Sequence, residues 1–319
     1  MVGAKSQTQD QGQKFSAKIF NKPKMVLLFC STPRSGSSFI GELLSTVNSS
    51  VLFFEPNHKI EQEPCLTSES CLSKYLTDKF LCRLDDDFTW WLKHKQLFLG
   101  FFNEKTMKWF NMVEPQERTK LFESMDIAKE CLDSHVRLVK IVRGRLNLLE
   151  SLLSNLSLDM KIIHLYRDPR GFMRSISTMT SWNHEPSHFC SGLEQDFISF
   201  RNLEKKYPGK IMQLSYERFS LNPLENTKAL FEFAFENNTL SNKTLNYIES
   251  HTKHYYKTDA MSRVKKSDEV YQSWRNTITE VLLKNVESES SCKASIEMMG
   301  HKLYKSLSNA KNLTLPLFL

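Results

Sequence analysis

Ser31-Thr32-Pro33-Arg34-Ser35-Gly36-Ser37-Ser38-Phe39 follows directly on the apolar run Met25-Val26-Leu27-Leu28-Phe29-Cys30. No other feature of the chain constrains its fold as much. A short apolar run without alternation reads as a strand buried on both faces, the habit of a parallel sheet. A serine- and glycine-rich turn from such a strand into a helix presents free backbone N–H groups at the positive end of the helix dipole, and so holds an anion. Gly36 lets the backbone approach closely. Ser35, Ser37 and Ser38 add hydroxyl donors, and Arg34 can fork onto phosphate oxygens. The turn is not a nucleoside-triphosphatase loop, because G-x-x-x-x-G-K-S/T needs a second glycine and a lysine. Neither is present. The plainer alternative is a serine-rich helix cap with no ligand.

About 130 residues further on, Met160–Tyr166 reads as another buried strand, and Arg167-Asp168-Pro169-Arg170-Gly171-Phe172-Met173-Arg174-Ser175 follows it. Pro169 suits the first turn of a helix, which puts Ser175 roughly two turns on. Arg167 and Ser175 converge on one anion if that helix folds back beside the strand. Otherwise Arg167 and Asp168 form a local ion pair. Two anion sites in one chain fit a nucleotide with two separate phosphate groups.

Further strands are predicted at 51–54, 137–143 and 210–214, with helices near 38–46, 146–154, 189–206 and 224–235 and through most of 243–306. This alternation predicts a parallel α/β sheet with crossover helices. At 319 residues, 40% hydrophobic and 25% charged, the chain is an ordinary globular protein able to bury a large core. Its net charge of +7 is a mild bias toward anionic partners. No apolar run approaches the roughly 18 residues that span a bilayer. Residues 1–20 are polar and read as a flexible lead-in rather than a signal peptide, so any membrane anchor is expected outside this chain.

Of the seven cysteines, none forms a C-x-x-C pair or a metal-ligand spacing, so no metal is expected. Cys30, beside the anion turn, is the candidate free thiol. Cys65, Cys71, Cys82, Cys131, Cys190 and Cys292 can form three bridges in many connectivities, or all can stay reduced in a cytosolic protein. N-x-S/T triplets at Asn48, Asn155, Asn237, Asn242 and Asn312 are compatible with a secretory route. The aromatics Trp90, Trp91, Phe98, Phe101, Phe102, Trp109 and Phe110 read as core rather than as a sugar-stacking platform.

Taken jointly, the two anion motifs resemble those of the carbohydrate sulfotransferases. In that family a T-x-R-S-G-S-S-F loop binds the 5′-phosphosulfate of 3′-phosphoadenosine 5′-phosphosulfate (PAPS). An R-D-P-R-A-x-x-x-S segment binds the 3′-phosphate through its first Arg and its Ser. Here Gly171 stands in place of the Ala. Phe54-Glu55-Pro56, Lys140-Ile141-Val142-Arg143, Tyr216-Glu217-Arg218-Phe219 with Asn222-Pro223, and Trp274-Arg275 with Cys292 also resemble family segments, over roughly residues 25–305. The chain departs from the pattern mostly in 60–135 and 250–270, where acceptor-binding loops are expected.

The resemblance implies an α/β sulfotransferase fold: a P-loop-like parallel β-sheet flanked by helices, with helical elaborations, as one domain over 21–319. It implies transfer of a sulfuryl group from PAPS to a hydroxyl of a glycan or proteoglycan, at the 6-O of GlcNAc, Gal or GalNAc, in the Golgi lumen or after secretion. No metal and no nucleic acid is implied. Arg34, Ser35, Gly36, Ser37, Ser38, Phe39, Arg167, Ser175 and Tyr216 would bind the donor. Glu55 is the leading candidate for the base, with His58 second, and Arg34 would stabilise charge in the transition state. Lys140 and Arg143 would reach the donor or an acidic glycan. Arg170 and Arg174 would face the cleft or solvent, and His164 reads as a core histidine. Competing readings are a protein-tyrosine sulfotransferase, a non-catalytic glycan-binding relative and, against the missing lysine, a nucleotide kinase.

Overall fold

The computed structural model describes residues 22–95, 100–106, 115–180, 182–253 and 266–319. The lead-in expected at 1–20, the aromatics Phe98, Trp109 and Phe110, and much of the variable stretch 250–270 lie outside the described residues.

Six strands form one sheet: β1 (Lys24–Cys30), β2 (Ser50–Phe54), β3 (Phe101–Phe102), β4 (Val136–Ile141), β5 (Met160–Tyr166) and β6 (Ile211–Ser215). Their order is β3-β2-β4-β1-β5-β6. β3 runs antiparallel to β2, and the other pairings are parallel. β1 lies between β4 and β5 and is buried from Met25 to Cys30, as its unbroken apolar run requires. The C-terminal ends of β1, β2, β4 and β5 therefore share one edge, where open α/β sheets bind ligands.

The helices that position this edge are α1 (Ser37–Leu44), α2 (Glu69–Phe80), α3 (Pro169–Ile176), α4 (Pro186–Lys206), α5 (Tyr216–Leu221), α6 (Pro223–Phe235), α7 (Asn242–Thr252), α8 (Glu280–Ser288) and α9 (Ser290–Met298). α2 supplies Leu72, Leu76 and Phe80 to a core on one face of the sheet, together with Phe29, Phe53 and Ile162. α1, α6 and α7 cover the other face, with Ile40, Leu43, Leu230 and Ile248 packed on Val26, Leu28 and Ile163. α3, α4 and α9 share a third cluster around Phe172, Leu193 and Ile296.

Disulfides join Cys65 to Cys71, Cys82 to Cys131 and Cys190 to Cys292, and Cys30 is the buried free thiol. The last bridge ties α4 to α9. Three local expectations change. Phe101-Phe102 is a two-residue edge strand, too short to leave a period in the sequence. The helix expected over 146–154 is a 3₁₀ turn, Leu146–Leu149, followed by a short helix, Glu150–Ser154. β4 ends at Ile141, before the expected 143. The Arg143 carbonyl there accepts from Asn57 Nδ2 at 2.6 Å, and Gly144 turns the chain at φ +118°.

Candidate active site

The turn out of β1 ends at Gly36, the N-cap of α1, with φ +84°. A Cβ on Gly36 would stand 2.8 Å from the Tyr216 ring, so glycine is required by conformation and by space. Arg34 holds φ +60°, a left-handed conformation that typically costs a non-glycine residue about 1–3 kcal/mol and clusters at functional sites. Its Nε donates to Ser175 Oγ at 3.2 Å, and Arg167 Nη1 donates to the Arg34 carbonyl at 2.7 Å. The two anion motifs, far apart in sequence, thus meet. Arg167, at the end of β5, and Ser175, on α3, both contact Arg34.

Arg167 does not pair with Asp168. Its guanidinium lies 4.3 Å from the centroid of the Tyr216 ring, and its Nε has no hydrogen-bond partner among the described residues. A Cβ at position 171 would sit 3.1 Å from that Nε, so Gly171 lets α3 lie closer to Arg167 than alanine would.

These groups line a cleft of about 990 Å³ at the sheet edge. Arg34, Gly36, Ser37, Ser38, Phe39, Arg167 and Tyr216 form one part of its wall, and Glu55, His58, Lys140 and Arg143 form another. Ser35 is buried beneath the turn, and Ser175 reaches the site through Arg34.

Glu55 follows β2 directly and also has a left-handed backbone, φ +52°. Its carboxylate accepts from Lys140 Nζ at 2.6 Å and from Arg143 Nη1 at 3.2 Å. Burial pushes its carboxyl up, but Lys140 first and then Arg143 outweigh that and hold it below the usual carboxylate range. Lys140 is itself buried, its ammonium 3.7 Å from the centroid of the Phe54 ring. Lys140 and Arg143, expected at donor or glycan, here hold Glu55. Arg143 also pairs with Glu61, whose other oxygen lies 3.1 Å from His58 Nε2.

Arg170 corrects an expectation. It faces neither cleft nor solvent but is fully buried. Its Nη2 donates to Asp168 Oδ2 at 2.7 Å and its Nη1 to Glu287 Oε1 at 2.7 Å, while His301 Nδ1 lies 2.8 Å from Asp168 Oδ2. A buried arginine needs such partners, yet its partner Glu287 lies more than 100 residues away in sequence. Arg174 is half-buried and donates to the Thr277 carbonyl at 3.0 Å. His164 is buried in the core, with Nε2 2.6 Å from Ser31 Oγ, and burial lowers its pKa to about 3. Sequence reasoning missed Arg145 and Trp182, which also line the cleft. Neither belongs to a motif or a periodic pattern.

A profile of the sulfotransferase family matches residues 27–237. Carbohydrate sulfotransferase 5 of Homo sapiens is 24% identical over 352 aligned residues, covering 95% of this chain and 84% of that protein. Carbohydrate sulfotransferase 1 of Mus musculus is 23% identical over 364, covering 95% and 85%. Among solved structures, the sulfotransferase domain of the Synechococcus PCC 7002 olefin synthase aligns with a TM-score of 0.44 and 16% identity, over 93% of this chain and 96% of that one. The matched stretch begins within β1 and ends just past α6, taking in both anion motifs and Glu55; the chain belongs to the sulfotransferase family.

Proposed function

We propose that this protein transfers a sulfuryl group from PAPS to a hydroxyl of a glycan, with a 6-O position of GlcNAc, Gal or GalNAc as the first to test. The observation that carries the reading is the meeting of the two anion motifs beside Glu55. The Arg34–Ser175 and Arg167–Arg34 contacts join two cationic side chains and a helix N-terminus in one cleft. The unpartnered Nε of Arg167 fits an anionic ligand. The carbohydrate sulfotransferases among the relatives support a sugar acceptor. Three disulfides support an oxidising compartment such as the Golgi lumen or the outside of the cell. We read 21–319 as one domain.

In this reading the acceptor oxygen bonds to sulfur as the bond from sulfur to the donor phosphate breaks. Glu55 takes the acceptor proton. Arg34 and the N–H groups of the loop face the charge that grows on the leaving phosphate. Ser35, Ser37, Ser38, Phe39 and Tyr216 complete the donor site. Lys140 and Arg143 keep Glu55 ionised and aimed.

That arrangement sets a pH dependence. A base must be deprotonated, so kcat falls as pH drops through the pKa of Glu55, which lies below the ordinary carboxylate range. Lys140→Met removes the larger opposing charge and leaves burial to dominate. The acid limb of kcat, measured at saturating donor and acceptor, is expected to move to higher pH. An unmoved limb would show that Glu55 does not govern it.

Arg167→Ala is expected to raise the Kd for PAP about 10–100-fold, the worth of one hydrogen-bonded charge contact, as read by calorimetry. Unchanged affinity would remove the second motif from the donor site. Transfer of labelled sulfate from PAPS to GlcNAc-, Gal- and GalNAc-terminated glycans, chondroitin and tyrosine peptides tests the reaction itself. Turnover on tyrosine alone would replace the glycan reading. PAP binding with no turnover on any acceptor would favour a non-catalytic relative.

A further inference from the structure

Asp196 on α4 is 1% exposed, yet both sides of the cleft are tied to it. Its Oδ2 accepts from Arg145 Nη1 at 2.8 Å and its Oδ1 from the Leu146 amide at 2.8 Å. The hydroxyl of Ser31, the first residue of the donor loop, faces the same carboxylate closely enough to pull its pKa down. One turn earlier on α4, a Cβ at Gly192 would stand 2.2 Å from Arg145 Nη1. Gly192 and Asp196 therefore form a cradle for one arginine, with the missing side chain and the carboxylate on the same helix face. Ser31 is held from its other side by His164 Nε2 at 2.6 Å, and Gln213 Nε2 faces His164 Nδ1 at 3.3 Å. With the Gln213 amide donating to Nδ1 and Nε2–H donating to Ser31 Oγ, the Ser31 hydroxyl hydrogen is left to point toward Asp196.

We propose that Asp196 is a positioning residue that holds the two walls of the cleft in register: the donor loop through Ser31, and the acceptor side beyond β4 through Arg145 and Leu146. This role rests on the sulfotransferase reading of the cleft. It gives the site a sensitivity to mild acid. Burial pushes the Asp196 carboxyl up to about 6, against the pull of Arg145. Protonation removes the charge that holds Arg145. The charged or titratable side chains facing Asp196 are Arg145, after β4, and nearby His164, on β5. His164, lowered to about 3, stays neutral, so a change in this network between about pH 5 and 7 belongs to Asp196.

The test is the Kd for PAP and the KM for the best acceptor, from pH 5 to 8, for wild type, Asp196→Asn, Ser31→Ala and Gly192→Ala. At pH 7.5 Asp196→Asn is expected to raise both constants about tenfold, the lower range for a hydrogen bond to a charged group. Ser31→Ala should raise mainly the PAP Kd, and Gly192→Ala mainly the acceptor KM. General destabilisation does not produce that split, and the two outer variants carry the test if Asp196→Asn fails to fold. The phosphates of PAP titrate in the same range, so the pH readout is the difference between proteins: the gap between wild type and Asp196→Asn should close below about pH 6. Wild-type constants in Asp196→Asn, or a gap constant with pH, would overturn the proposal. Absence of wild-type turnover on every acceptor would count against the function instead, and the PAP affinities would still decide the role of Asp196.

Discussion

Glu55→Gln is expected to lose about 10²–10⁴ in kcat while the Kd for PAP stays within about twofold, the range that a positioned general base contributes. The substitution keeps shape and removes the ability to take a proton. Its location argues for the role: Glu55 directly follows β2 at the sheet edge, lines the same cleft as Arg34 and Arg167, and holds a strained left-handed backbone. Its carboxylate is ionised through the neutral range, because Lys140 and Arg143 outweigh its burial. Lys140 is 1% exposed, so glutamine also leaves a buried ammonium without its counter-ion. A thermal melt therefore accompanies the kinetics, and the loss is scored at a temperature where the variant is folded. His58 is the rival, in the cleft but paired with Glu61 at 3.1 Å. If Glu55→Gln kept more than about a tenth of kcat while His58→Ala lost about 10²-fold or more, the base would be His58.

What was legible in the sequence was local. The strand, turn and helix around Ser31–Phe39 carry their own signal, because a buried strand must be apolar and an anion turn must be small and polar. The same holds for Met160–Tyr166 followed by Pro169, and for Glu55 one residue past β2. His164 is the core histidine its apolar strand suggested. What was not legible depends on residues distant in sequence. The six bridged cysteines pair across 6, 49 and 102 residues, with no local pattern to choose among connectivities. Lys140 and Arg143 read as reaching the donor or an acidic glycan; their partner Glu55 lies 85 and 88 residues away. Arg170 sits in the middle of the second candidate anion motif, and nothing beside it predicts that it turns inward. Asp196 falls on the apolar face of α4, among Leu193, Phe197 and Phe200, but its partner Arg145 is 51 residues away.

Arg170→Met is expected to destabilise the fold by about 3–5 kcal/mol, the cost of breaking a buried ion pair by removing one partner. Methionine keeps much of the apolar stem but leaves Asp168 and Glu287 buried without their cation. Arg170 also donates to the Lys302 carbonyl at 2.8 Å and packs between Trp274 and Tyr304, 4.8 and 5.1 Å from their ring centroids. It thereby ties the start of α3 to α8 and to the segment that follows α9. Arg174→Met, on the same helix but half-buried, is the control and should cost no more than about 1 kcal/mol. The deficit has a defined pH dependence. Burial pushes the Asp168 carboxyl up, but Arg170 and then His301 hold it well below the usual carboxylate range. A depressed carboxyl stabilises the fold above its unfolded pKa of about 3.9, and that contribution is lost as pH falls through the folded value. Without Arg170, only His301 opposes burial, so the Asp168 pKa rises and the variant loses less stability than the wild type as pH falls. The gap between the two denaturant midpoints should therefore be widest near pH 7 and narrow toward pH 4. An equal cost in Arg170→Met and Arg174→Met, or a gap constant with pH, would mean that the buried network adds nothing beyond packing.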